Sequence, residues 1–191
     1  MKYYLGIDCE TGGIGVDKSL LTAFFMVLNE RFELLGELSL QIKPNDDIYH
    51  VTAEGLTVNG IILPEHDKVA ITEKAAGSVL YNFLQQHSDN GKIKLIPLGH
   101  GVASDIKFLQ AHLISKGSWD KFVSYRTRDT AALGGSLLDA GLIPSTVTGS
   151  LTSFCQYFGI TLTNAHSADA DTRATVKVYE KMLELLKGRA T

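Results

Sequence analysis

The sequence is poor in cysteine, has no long apolar run, carries no excess of basic charge and contains no low-complexity tract. Its two cysteines, Cys9 and Cys155, lack CxxC spacing and form no disulfide framework, so they read as reduced core residues of a cytoplasmic protein. No stretch approaches the roughly 20 apolar residues that span a bilayer, and the N-terminus lacks the uninterrupted apolar segment of a secretory signal. A net charge of −3 excludes the global basic field with which proteins grip an extended polyanion, so any such contact must be local or cation-assisted. What remains, 45% hydrophobic and 20% charged residues over 191 positions, is the make-up of a single α/β-sized domain, residues 1–191, long enough to bury a substantial core.

The opening of that domain is unusual. Leu5-Gly6-Ile7-Asp8-Cys9-Glu10 is an apolar, strand-like run that ends in two acids. In an extended strand successive side chains alternate faces, so Asp8 and Glu10 point one way while Leu5, Ile7 and Cys9 point the other. Two like charges on one face repel, which makes this strand end half of a cation site.

Ser19 to Asn29 and Phe32 to Lys43 are two further β-like runs, joined around Asn29-Glu30-Arg31 as a hairpin. Pro44 to Asp67 is long and turn-rich, either a lid or a decorated crossover with one short helical turn. Val69 to Gln86 has helical spacing and is stopped by Asn90-Gly91. Lys92 to His100 reads as a buried strand running into a loop, and Ala103 to Ser115 as an amphipathic helix with Ile106, Leu109 and Leu113 on one face. A short strand within Lys121 to Thr130 and helical segments near Asp129 to Asp139, Leu151 to Phe158 and Ser167 to Lys187 follow. The order predicts an α/β fold, a mixed sheet flanked by helices.

Two of these helices begin with an acid. From Asp171 the positions Ala174, Val178, Met182 and Leu185 fall on one side, so Asp171 heads an apolar stripe, where a carboxylate is costly unless paired or bound to a cation. His166 precedes it by five residues. Asp105 stands one turn before Leu109; stabilisation by the helix dipole is the alternative explanation for an acid there. With Asp8 and Glu10, these acids make a set of the hard oxygen ligands that Mg²⁺ or Mn²⁺ prefers. Four ionised carboxylates in one pocket need compensation, and two divalent ions about 3.5–4 Å apart would supply it while clamping the attacking and leaving oxygens of a phosphoryl displacement. His166 could take the proton from the attacking water.

The segments IDCETGG, LGHGVASDIKFL and AHSADADTRAT, in that order, resemble the three motifs of the DEDDh family of 3′→5′ exonucleases, whose members include proofreading subunits, ribonuclease T and oligoribonuclease. The resemblance runs from Leu5 to about Val178. It implies a ribonuclease H-like fold with a central five-stranded mixed sheet, two metal ions held by Asp8, Glu10, Asp105 and Asp171, and catalysis by His166 as general base together with Glu10. A His five positions before the last Asp marks the DEDDh type; the sister group has Tyr four before, where this chain has Ser167. RDTAAL, FGITLTNAH and VTAEGLTVNGI resemble smaller family elements, the last of them bordering the active site. By the same analogy Thr11 and Gly12 approach the 3′-terminal nucleotide, with glycine letting backbone N–H groups come close, and His100 borders the pocket. Gly101 and Ser104 depart from the family, which often has Asn and an aromatic there.

The expected activity is metal-dependent, distributive hydrolysis at the 3′ end of single-stranded DNA or RNA, releasing nucleoside 5′-monophosphates. The alternatives are a proofreading or accessory subunit of a polymerase complex and an inactive nucleic-acid-binding module, the latter disfavoured because all five family positions are intact. Single-stranded 3′ ends are the expected partners and a membrane is not, while a homodimer and a polymerase partner both stay open. Arg126, Arg128, Arg173 and Lys107 could meet phosphates or form surface ion pairs. Phe24, Phe25, Tyr3 and Tyr4 suit core packing better than base stacking.

Overall fold

The predicted hairpin organises the first half of the chain. In a computed structural model, which describes residues 2–163 and 166–188, strands β1 (Tyr3–Thr11), β2 (Leu20–Leu28) and β3 (Leu34–Lys43) are antiparallel neighbours. Asn29 closes the β2–β3 turn, its Oδ1 accepting from the N–H groups of Arg31 and Glu33 at 2.8 and 3.1 Å. On the other side of β1 runs β5 (Leu95–Gly99), in parallel, and beyond it β6 (Arg128–Asp129). These five strands are the expected mixed sheet. A sixth, β4 (Ile71–Thr72), adds two residues in parallel to the end of β3, giving the order β4-β3-β2-β1-β5-β6.

Among the described residues eight helices flank the sheet: α1 (Ala53–Asn59), α2 (Leu63–His66), α3 (Glu73–His87), α4 (Val102–His112), α5 (Lys116–Phe122), α6 (Thr130–Asp139), α7 (Leu151–Phe158) and α8 (Ala168–Lys187). The alternation of β1 divides the core. Leu5 and Ile7, with Phe25 and Val27 of β2, pack beneath Leu80, Leu109 and Phe122 of α3, α4 and α5. Tyr4, with Phe24 and Met26, packs beneath Val176 and Tyr179 of α8. Each such side chain taken from water contributes about 1.5–3 kcal/mol. A third cluster joins α8 to α6 and α7 through Ala174, Val178, Met182, Leu137 and Phe154.

Some boundaries differ from expectation. The helix expected from Val69 starts at Glu73, because Ile71–Thr72 is held in β4 and the Thr72 hydroxyl accepts from the Ala75 N–H at 3.3 Å to cap α3. The Pro44–Asp67 segment holds two short helices, the first capped by Thr52 and closed by Gly60 in the left-handed region (φ 66°). Helix α5 had no forecast; Ser115 starts it by accepting from the Ser118 N–H. Both cysteines are free, as expected. No helix among the described residues is long and apolar enough to cross a membrane.

Candidate metal centre and adjoining clefts

Strand β1 pairs with β5 only from Tyr3 to Gly6, after which β5 ends and the chain turns into α4. The last residues of β1 therefore lie at the C-terminal end of two parallel strands that have parted, a place where α/β sheets form ligand crevices. The β1–β2 ladder is irregular between Glu10 and Thr11, and such bulges re-aim side chains near functional sites.

Gly6 brings the third acid in. It lies on the same face as Asp8 and Glu10, and a Cβ there would stand 3.0 Å from Thr172 Cγ2 and 3.5 Å from Val176 Cγ2. Only a residue without a side chain lets α8 approach β1 so closely, and Asp171 precedes Thr172. As a result Asp8, Glu10 and Asp171 offer carboxylate oxygens that all lie within 4.8 Å of one another. Asp171 is held from both sides of the helix start: its N–H donates to the Ser167 carbonyl at 3.0 Å and its Oδ2 accepts from the His166 N–H at 3.2 Å. Its Oδ1 is buried and, among the described residues, is the one buried side-chain oxygen or nitrogen with no hydrogen-bond partner.

The electrostatics match a site built for positive charge. Burial, then the charges of Asp105, Glu10 and Asp171, holds Asp8 well above the usual carboxylate range. Burial, followed by Asp171 and Asp105, pushes Glu10 up to about 8. Asp171 is raised by burial, partly offset by the His166 N–H. Three close carboxylates that cannot all ionise, one with an orphaned oxygen, fit a divalent cation taking hard oxygen ligands.

Asp105 stands beside this group without joining it. Its carboxyl accepts from the backbone N–H and thiol of Cys9, while burial raises it to about 7. Cys9 thus ties α4 to the carboxylate strand as well as packing in the core.

Two clefts meet at Glu10 and Asn59. The first, about 420 Å³, contains His166 and Asp169 on its α8 side, with Thr22, Phe24 and Ser39 also among its lining residues. The second, about 550 Å³, is lined by Thr11, Ser104 and Asp105 and by the apolar Ile14, Val58 and Phe108. His166 is exposed and adopts a left-handed backbone (φ 68°), uncommon for a residue with a side chain. Asn164 and Ala165, in the segment that leads to it, lie outside the described residues.

The expected substrate contacts fare differently. Thr11 borders the second cleft, its hydroxyl donating to the Gly13 carbonyl at 2.9 Å. Gly12 does not offer its N–H to a ligand: that group donates to the Ser19 carbonyl at 2.8 Å, and the Gly12 carbonyl accepts from Thr52 at 2.6 Å. A Cβ on Gly12 would meet the His50 carbonyl oxygen at 2.6 Å, so glycine is needed here to dock the segment after β3 onto β1. His100 lines neither cleft; it bonds Thr130 Oγ1 at 2.9 Å and packs edge-on against Phe154, joining the end of β5 to α6 and α7. Asn59 was not singled out from the sequence, although the segment containing it was. It reaches both clefts, and its Nδ2 donates to the Thr11 carbonyl at 3.0 Å.

No protein-family model and no curated protein matches the sequence. In structure the chain resembles exonuclease I: all of it superposes on 42% of one such chain at 20% identity and a TM-score of 0.72. A zinc-bound complex of the Escherichia coli enzyme with single-stranded DNA gives 20% identity and a TM-score of 0.73 over all of this chain and 41% of that one. The E. coli enzyme with a dT13 oligonucleotide gives 18% identity and 0.70 over 96% and 41%. The chain therefore shares the ribonuclease H-like fold of these structures and spans about two fifths of their length.

Proposed function

We propose that residues 1–191 form one exonuclease domain that hydrolyses the last phosphodiester bond at the 3′ end of single-stranded DNA or RNA. The observation that carries this reading is the Asp8–Glu10–Asp171 group with its unpartnered Asp171 Oδ1, whose Glu10 lies where two clefts meet on a fold shared with exonuclease I. Asp8, Glu10 and Asp171 would hold Mg²⁺ or Mn²⁺, with Asp105 completing a set of four for two ions. When bound, such ions supply positive charge to the phosphodiester and stabilise the entering and departing oxygens.

The chain's own residues do the rest. The imidazole of His166, exposed on the wall of the first cleft, accepts a proton from the attacking water on a ring nitrogen. The bond that breaks joins phosphorus to the 3′ oxygen of the shortened strand, so the product is a nucleoside 5′-monophosphate. Ile14, Val58 and Phe108 give the second cleft an apolar wall suited to the terminal base, while Thr11 and Asn59 fix the β1 backbone beside it.

The test is hydrolysis of 5′-labelled single strands of DNA and RNA of equal sequence, with Mg²⁺, Mn²⁺ or EDTA. The expected result is a ladder that shortens from the 3′ end with either cation, stops in EDTA and is lost in Asp8→Ala and His166→Ala. Failure of the cation-loaded wild type to shorten either strand overturns the reading.

A further inference from the structure

Arg173 lies on α8 one turn beyond Asp169, a residue of the first cleft, and two residues beyond Asp171. Its guanidinium carbon sits 5.1 Å from the centre of the Phe24 ring, and its terminal nitrogen reaches Glu37 Oε2 on β3 at 2.7 Å. Strand register explains what this bridge crosses. Asp8 is paired with Phe24 and Phe24 with Ser39; Glu10 is paired with Thr22 and Thr22 with Gln41. The two carboxylate rows of β1 thus continue sideways across β2 to β3 as an uncharged floor, all of it lining the first cleft. The cleft also has apolar lining residues, Ile61, Ile62 and Val69, with Ile62 and Val69 solvent-exposed. Arg173 does not itself line the cleft, but its guanidinium lies over Phe24 of this floor; a cation just beyond the floor and apolar side chains in the lining together match one nucleotide of a strand, phosphate to the cation and base to the apolar part.

We propose that Arg173 is a positioning residue that binds a phosphate of the strand upstream of the scissile bond, and that Glu37 holds the guanidinium over Phe24 until a strand enters. This rests on the exonuclease reading above. The planar, forked guanidinium suits a carboxylate and a phosphate equally. Both side chains are more than two-fifths exposed, so exchanging one anion for the other gives up little, since exposed pairs contribute little. Glu65 and Asp169 also line the cleft, and their negative charge makes a cation at this position the more necessary.

The experiment measures binding of 5′-fluorescein-labelled oligothymidylate to the full chain with Ca²⁺, over a salt series. Arg173→Ala is expected to weaken binding on the order of tenfold and to flatten the dependence of log K on log salt by about 0.7, one single-strand phosphate contact. Glu37→Gln is expected to tighten binding by up to about fivefold. That gain should vanish in the Arg173→Ala background, because the two residues act through one contact. Arg173→Lys, which keeps the charge, should restore the salt slope but not the full affinity. Equal binding and equal slope for wild type and Arg173→Ala overturn the proposal. So does a Glu37→Gln gain that persists without Arg173, which would assign it to long-range charge. If wild type itself does not bind a single strand, the exonuclease reading falls and takes this one with it.

Discussion

Replacing Glu10 by Gln should make the cation-free protein more stable at pH 8 while removing its response to a divalent ion. The unfolded chain releases the Glu10 proton near 4.5 and the folded chain near 8, so between those values the folded state binds the proton more tightly. Its contribution to stability is fully present below pH 4.5 and is lost as pH rises through 8. Taken whole, this displacement is a ceiling of about 4.8 kcal/mol at about 1.36 kcal/mol per pH unit. Glu10 is partly solvated, and water screening reduces the usable figure to about 2 kcal/mol. For a chain of this size that is about 4–8 °C in melting temperature. The assay is thermal unfolding of wild type and Glu10→Gln in EDTA at pH 5 and pH 8. The variant should melt higher than wild type at pH 8, with the two close together at pH 5. Added Mn²⁺ should raise the wild type more at pH 8 than at pH 5 and barely move the variant, since the ion takes the place of protons held by crowded acids. An offset between the two proteins that does not depend on pH would refute the view that charge crowding, rather than packing, governs this residue.

Two further predictions concern glycines. Gly6→Val adds methyl groups where even a Cβ stands 3.0 Å from Thr172 Cγ2; overpacking should cost about 1–3 kcal/mol and push α8 outward, so the denaturant midpoint and the Mn²⁺ affinity by calorimetry should fall together. A fall in stability with cation affinity intact would separate Gly6 from the placement of Asp171. Gly134→Ala drives a Cβ into the ring of the fully buried Phe154; the clash, about 1–3 kcal/mol, should outweigh the helix-propensity gain of about 1 kcal/mol, giving a lower urea midpoint, and an unchanged or higher midpoint would show that Phe154 relocates freely.

The parts of this molecule legible in the sequence are those that depend on a single element. Alternation along β1 was enough to set Asp8 and Glu10 on one face and Leu5 and Ile7 on the other, because a strand's two faces are fixed by its own backbone. The helix after Ser167 was legible for the same reason, but only half of its environment was. The stripe of Ala174, Val178, Met182 and Leu185 packs on α6 and α7, whereas the face that meets the sheet runs through Thr172, Val176 and Tyr179 and contains too much polarity to read as a core stripe. The two-residue strand β4 carries no pattern of its own; it exists because the end of β3 leaves backbone groups to pair.

What the sequence could not reveal is relational. Asp105 has the residue type and the helix position of a ligand, but only the fold sets its carboxyl against the Cys9 backbone and thiol, near enough to Asp8 for its charge to act there. Gly12 looks like a glycine kept small for a ligand and is one kept small for the chain itself, with the His50 carbonyl in the space of its missing Cβ. His100 sits inside a motif yet lines neither cleft and instead contacts Thr130 and Phe154. In each case a local pattern names the residue, but a long-range contact decides its use. The same holds in the opposite direction for Gly6, which carries no chemistry and yet, by its lack of a side chain, lets α8 bring Asp171 within reach of Asp8 and Glu10. The candidate site is therefore as much a product of backbone approach as of its acids, and a mutation at Gly6 should damage it as surely as one at a carboxylate.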